Sequence, residues 1–273
     1  MSVKRNGMSN SLYSTEWRIK PLIALNSIAF LLLISWLLPT TRLLWDRFDY
    51  FLFTLLNDPI ETSEIWATIW AVGSVRLTDI AVGLVMLSFL LWGRLLFRGE
   101  QIRSAFIGFI VLLIMMLLVR VGFTEFSELV GWGRASPTML LPESVRLSEI
   151  FPEWVALGLK DSSSQSFPGD HASVILLWAL NLSLAAKGWR CAVIWALAVV
   201  FMLPRLVAGA HWGTDDFVGG LFISLMTFSW ACCTPLLATV TGKLLNILTP
   251  IFNYLGRYQP FAWFEFFNPT SVK

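Results

Sequence analysis

The chain has 273 residues, 56% of them hydrophobic and only 14% charged, with a formal net charge of +2. A soluble domain carries about 25% charged residues, and a disordered chain far fewer apolar ones, so both classes are excluded. The positive balance is too small and too diluted for nucleic-acid binding.

In chain order, six apolar stretches stand out, roughly 21–39, 77–97, 104–122, 172–187, 190–209 and 214–238. A bilayer core is crossed by about 20 apolar residues in a helix, so these predict an all-α integral membrane protein. The expected architecture is a six-transmembrane helical bundle, a single membrane domain over 1–273, with interfacial helices and a periplasmic loop region at 123–170. The first stretch is bounded by Pro21 and Pro39 and lacks a small-residue cleavage site, which favours a retained helix over a cleaved signal peptide. Between the first two stretches Trp45, Phe48, Phe51, Leu55 and Leu56 recur at helical spacing among Asp46, Arg47 and Asp49, a pattern suited to lying in the interface. Phe261 to Phe267 forms a second aromatic cluster of the same kind. Cys191, Cys232 and Cys233 lie in apolar runs with neither metal-ligand nor disulfide spacing, and read as packing residues.

Charge orients this frame. The N-terminal segment, the 94–103 loop, the 187–190 turn and the tail together carry a net +9, and the remaining segments −7. The positive-inside rule then puts both termini in the cytoplasm and the 123–170 loop outside, which is the periplasm for a bacterial inner membrane.

The only two histidines, His171 and His211, both fall on the outer side, each where an apolar helix begins. Histidine serves as nucleophile, acid or base near neutral pH. Ser166-Phe-Pro-Gly-Asp-His171 closes the polar loop, and its Pro and Gly set a turn that leaves the first helical amides around Gly169 and Asp170 free for phosphate. Read purely as structure, the same segment is a turn with Asp170 as N-cap. In Arg205-Leu-Val-Ala-Gly-Ala-His211-Trp-Gly-Thr-Asp215, the spacing of His211 and Asp215 puts both on one helical face. A carboxylate on one imidazole nitrogen leaves the other free to attack phosphorus, and the Arg205 guanidinium can hold two phosphate oxygens. A plain Arg205–Asp215 or Arg205–Asp216 ion pair is the structural alternative. Gly133-Arg134-Ala-Ser-Pro137 adds a further phosphate-binding cation on the same side.

These three stretches, in this order, resemble the three signature motifs of the type 2 phosphatidic acid phosphatase superfamily. Those read Lys, six residues, Arg-Pro; Pro-Ser-Gly-His; and Ser-Arg, five residues, His, three residues, Asp. Arg134-Ala-Ser-Pro-Thr138, Lys160-Asp161 with Ser166–His171, and Gly209-Ala-His-Trp212 are most similar to the periplasmic branch that moves phosphate from undecaprenyl diphosphate to lipid A. The resemblance covers mainly residues 130–220. Several positions depart from the pattern: Ser127 stands at the motif lysine, two residues separate Arg134 from Pro137, Gly169 replaces the phosphate-binding Ser, and Pro204 replaces another Ser. Asp170 in place of Gly is similar to members acting on undecaprenyl diphosphate, and Lys160 is the candidate for the missing lysine.

The resemblance implies a metal-independent lipid phosphotransferase with no cofactor. His211, oriented by Asp215, attacks the terminal phosphorus, Arg134, Arg205 and the Gly169–His171 amides hold its oxygens, and His171 protonates the leaving lipid phosphate. An acceptor then resolves the phosphohistidine. Its implied partners are undecaprenyl diphosphate and lipid A. With water as acceptor the same residues make an undecaprenyl diphosphate phosphatase. A non-catalytic lipid-binding or transport protein is the third reading, and would call for paired broken helices.

Overall fold

The structure, a computed structural model, describes residues 12–268 apart from 93, 94 and 98. Among these residues all the regular structure is helical, with no strand. Lys4, Arg5, Arg94, Arg98 and Lys273, which enter the charge argument, lie outside the described residues.

Helix α1 (Ile19–Leu37) gives way to α2 (Pro39–Asn57) at Leu38. Proline 39 has no N–H to continue the first helix but is well placed in the first turn of the next. Helix α3 (Glu64–Ser74) is capped by Ser63, whose hydroxyl accepts from the Trp66 amide at 3.2 Å. One extended residue, Val75, separates it from α4 (Arg76–Leu91), and the pair is bent by 68°. Helix α5 (Glu100–Leu129) starts after Gly99, whose φ of 54° suits glycine, and its 30 residues reach about 45 Å. After the loop come α6 (Asp170–Ser183) and α7 (Trp189–Val207), then a π-helical turn at Asp215–Gly220 that runs into α8 (Leu221–Cys232), and finally α9 (Leu236–Leu255).

Helices α6 and α8 form the centre. Helix α8 packs on α1, α5 and α6, and α6 packs on α7. Leu177, Trp178 and Leu182 of α6 and Ile223 and Ala231 of α8 are fully buried. In a membrane such apolar burial drives little by itself, and small residues that let helices approach closely matter more. A Cβ on Gly219 would meet the Pro168 side chain at 2.8 Å, and one on Gly220 the Ala172 side chain at 3.0 Å. Ser224 donates to the Ser173 carbonyl at 3.0 Å across the same contact. This tight crossing seats the π turn against the first residues of α6, the two places that carry Asp215 and His171.

Among the described residues four helices, α1, α5, α7 and α9, are long and apolar enough to cross a membrane, and the bent α3–α4 pair would make a fifth. This modifies the six-span expectation in three ways. The 172–187 stretch is the 14-residue helix α6, which at about 21 Å is shorter than a hydrocarbon core of about 30 Å. The 214–238 stretch breaks into the π turn and α8, walled by protein. Helix α9, which the sequence reading left in the tail, meets the test and contains Lys243. The loop expected at 123–170 is partly ordered as helix: α5 runs to Leu129, and short turns form at Pro137–Leu140, Leu147–Ile150 and Pro152–Leu157.

The interfacial segment is indeed a helix, α2, but the stripe expected to face one way is split, with Trp45 and Phe48 half-buried and Phe51 and Leu55 exposed. Asp49, Phe53 and Asn57, one turn apart, face inward. The C-terminal aromatics are drawn in as well: Phe266 is buried against Phe106 and Phe252.

Candidate active site

His211 lies on the turn between α7 and the π turn and is 3% exposed. Gly209 makes this turn with a φ of 74°, and a Cβ there would strike Thr138 at 2.5 Å, so glycine lets the turn press against the 134–138 segment. The His211 Nδ1 stands 2.9 Å from the Ser166 carbonyl and 3.6 Å from Asp215 Oδ2. A carbonyl only accepts, so Nδ1 carries a hydrogen. Nε2 is buried with no hydrogen-bond partner, and 3.6 Å from it stands Asp170 Oδ1.

Asp215 is fully buried and accepts three hydrogen bonds from two residues. Its Oδ2 accepts from the Trp212 amide at 2.7 Å, and its Oδ1 from Arg134 Nη2 at 2.9 Å and Nε at 3.1 Å. Arg134 also reaches Asp49 at 2.9 Å and the Thr214 hydroxyl at 2.5 Å, while Asp49 accepts from the Thr214 amide and hydroxyl at 2.7 Å. The Arg134 guanidinium, expected at the phosphate, therefore lies behind the histidine and braces its carboxylate.

Asp170 takes up the groups that the sequence assigned to phosphate. Its Oδ1 accepts from the His171 amide at 2.8 Å, and its Oδ2 from Arg120 at 3.2 Å. The neighbouring Gly169 amide is bonded to the Asp215 carbonyl at 2.9 Å. In the resting protein an internal carboxylate thus occupies the helix N-terminus, a cation and the face of the His211 nitrogen. The electrostatics follow. Burial would make Asp170 harder to ionise, but His211, Arg120 and Lys160 hold it well below the usual carboxylate range. Burial disfavours the His211 charge, yet Asp170, Asp215 and Asp216 push its pKa up to about 10.

Beyond Asp170 opens a cavity of about 330 Å³ lined by Arg76, Asp79, Arg120, Lys160, His171 and Arg205, among others. Arg205 is anchored by Asp79 at 2.5 Å and by the Ser74 carbonyl at 3.0 Å, and also reaches the Lys160 carbonyl at 3.4 Å. The Lys160 amide is itself tied to the Ser74 carbonyl at 3.1 Å, which brings the 160 loop over the α3–α4 break. His171 Nε2 stands 3.2 Å from the Phe201 carbonyl, so it donates there and leaves Nδ1 as an acceptor. Burial first, and Arg205 next, push the His171 pKa down, so it rests neutral.

Of the predicted residues, His171, Arg205, Lys160 and Asp170 line one cavity, with His211 behind Asp170 and Asp215 behind His211. Arg134 is separated from them by Asp215. Gly169 serves by its size: a Cβ there would meet Asp216 Oδ1 at 2.3 Å and the Asp215 carbonyl oxygen at 2.8 Å. The sequence reading missed Asp49, Asp79, Arg76, Arg120, Thr214 and the Ser166 carbonyl. Some of the charged residues among them had a signal, because Arg76, Asp79 and Arg120 sit at the ends of apolar stretches, where ionisable groups are expensive unless they face a cavity. Among the described residues, no group of three or more His, Cys, Asp and Glu side chains could hold a metal ion.

Comparison with known proteins adds three findings. The PAP2 superfamily profile matches residues 109–239. The chain is 30% identical over 225 residues to lipid A 1-diphosphate synthase of Escherichia coli K12, covering 79% of this chain and 88% of that one. It is 34% identical over 68 residues to a putative undecaprenyl-diphosphatase of the same organism, covering 25% of this chain and 34% of the other. No solved structure matches.

Proposed function

The chain belongs to the PAP2 superfamily, and from that premise we propose that it is a membrane lipid phosphotransferase moving the terminal phosphate of undecaprenyl diphosphate to the 1-phosphate of lipid A. The observation that carries the reading is the His211 Nε2 atom, buried and without a hydrogen-bond partner, pointing at Asp170 on the edge of a cation-lined cavity. An incoming diphosphate displaces Asp170 and takes over the His171 amide and the cations. His211 Nε2 then attacks the terminal phosphorus, the bond to the bridging oxygen breaks, and the lipid monophosphate leaves with a proton from His171. The proton account balances: at rest His211 holds one that it must lose and His171 lacks one that it must supply. Arg205 and Lys160 stabilise charge on the phosphoryl oxygens, and Arg134 fixes Asp215. In the second half, a phosphate oxygen of the acceptor attacks the phosphohistidine with His171 as base, and the N–P bond breaks. No metal takes part in these steps.

The site belongs on the periplasmic face of a bacterial inner membrane with both termini in the cytoplasm, as the charge asymmetry of the loops supports. The second reading, hydrolysis of undecaprenyl diphosphate, is supported by the shorter match to the putative diphosphatase. Incubating the purified protein with terminally labelled undecaprenyl diphosphate, with and without lipid A and with EDTA throughout, separates the two. Label on lipid A is the expected result. Free phosphate at the same rate in both arms would establish the hydrolase instead, and dependence on one added divalent ion would refute the metal-free chemistry.

A further inference from the structure

We propose that Arg76 and Arg120 form a second phosphate subsite, which holds the monophosphate headgroup of the departing polyprenyl lipid and then that of the accepting lipid. The inference rests on the transfer reading above and names the residues that recruit the acceptor.

Neither arginine belongs to the three motif stretches, yet both line the cavity beside His171. Arg76 is the first residue of α4, directly after the break at Val75, and is exposed without an acidic partner among the described residues. Its neighbour Asp79, one turn along the helix, is taken by Arg205. The stem of Arg76 is nonetheless fixed, because the chain turns over it at Gly158, where φ is 78° and a Cβ would stand 3.1 Å from the Arg76 Cβ. Arg120 projects from the apolar helix α5, and its partner is Asp170 at 3.2 Å. That is the carboxylate that must leave His211 before attack, so displacing Asp170 frees Arg120 for a ligand anion.

Charge then selects the occupant. Arg76, Arg120, Lys160 and Arg205 face Asp79 and Asp170 across the cavity, a surplus of two positive charges. A phosphate monoester carries about −1.5 to −2 at neutral pH, so one such headgroup neutralises the surplus. At about 330 Å³ the cavity is at the small end of ligand sites, suited to headgroups with the lipid chains left outside. Once the terminal phosphoryl group is bonded to His211 it keeps Arg205 and Lys160, and departure of the first lipid leaves Arg76 and Arg120 without an anion. A second lipid phosphate takes that place, whereas water does not. The same subsite therefore serves both half-reactions: in the first it steadies the monophosphate whose bridging oxygen takes the electrons of the broken P–O bond, and in the second it presents the acceptor phosphate oxygen to the N–P bond.

The test uses the full-length protein in detergent micelles, as the parent and as Arg76→Gln, Arg76→Lys and Arg120→Gln. A short-chain polyprenyl monophosphate and, separately, inorganic phosphate are titrated as binding probes, and the lipid-acceptor KM is measured. Loss of a charge-assisted contact should weaken lipid-phosphate binding about ten- to a hundredfold in each glutamine variant. The acceptor KM should rise by a similar factor, phosphoenzyme formation at saturating donor should fall less, and Arg76→Lys should keep part of the affinity. Unchanged lipid-phosphate affinity in both glutamine variants overturns the subsite. Inorganic phosphate binding as tightly as the lipid would make this a free-phosphate site and overturn the lipid assignment. If the parent turns over no lipid diphosphate but its monophosphate binding still depends on Arg76 and Arg120, the transfer reading fails and the subsite stands.

Discussion

The Ser166 carbonyl accepts a hydrogen bond from His211 Nδ1 at 2.9 Å, closer than the Asp215 carboxylate at 3.6 Å. The tautomer that leaves Nε2 free to attack is therefore fixed by backbone, and Asp215 acts mainly through charge. Asp215→Asn should lose about ten- to a hundredfold in kcat yet still form phosphoenzyme, whereas His211→Ala should form none. Rapid-quench labelling of the two variants decides the matter. Equal, complete loss in both would return the orienting role to the carboxylate.

Asp170 should be visible in the pH profile. In the proposed transfer free imidazole is the nucleophile, and the His211 pKa of about 10 leaves the resting site protonated through the neutral range. Asp170 favours the protonated form, so Asp170→Asn lowers that pKa. The rising limb of kcat/KM should then move to lower pH, by roughly 1–3 units. An unmoved limb, or one displaced upward, would show that Asp170 does not govern the proton on His211.

Lys160 lines the same cavity as Arg205 and His171. Lys160→Gln should reduce kcat/KM about ten- to a hundredfold through loss of a charged hydrogen bond, and Lys160→Arg should recover part of it. A glutamine variant with parental kinetics would leave phosphate stabilisation to the arginines.

Glycine at 169 is enforced by its neighbours. A side chain there runs into Asp216 Oδ1 and the Asp215 carbonyl oxygen, so Gly169→Ser should cost about 1–3 kcal/mol of stability and displace Asp215. Adding Asp216→Ala should relieve part of the strain, since Asp216 Oδ1 is buried without a hydrogen-bond partner and its removal breaks no bond of that atom. Thermal midpoints in detergent would report both changes. A serine variant as stable as the parent would show that the turn yields easily.

The orientation is testable at Ser164, which is exposed on the loop before α6, unlike the fully buried Ser136 of the same region. Ser164→Cys should react with a membrane-impermeant thiol reagent in cells whose outer membrane alone has been permeabilised. Reaction only after lysis would invert the topology.

Much of the site could be read from order and spacing. Arg205, His211 and Asp215 share one short stretch, and His171 closes another, so spacing and the family resemblance together singled them out. What escaped was contributed across the fold. Asp49 reaches Thr214 from α2, and Asp79 reaches Arg205 from α4, with sequence separations that no local pattern reveals. Arg134 was legible as a cation but not as one claimed by two carboxylates. The number of candidate spans, four or five among the described residues, differs from the expected six for a related reason. Apolar runs such as 172–187 and 214–238 look the same whether lipid or protein covers them, and α6 and α8 are covered largely by protein.

Helix α2 has two unlike sides. One grips the catalytic turn through Asp49, and the other displays Phe51 and Leu55, which are 63% and 56% exposed. One rigid helix thus joins an exposed apolar face to the turn that carries His211. A tilt of α2 in its surroundings is carried to that turn, so activity is expected to differ between a short-chain detergent and a bilayer.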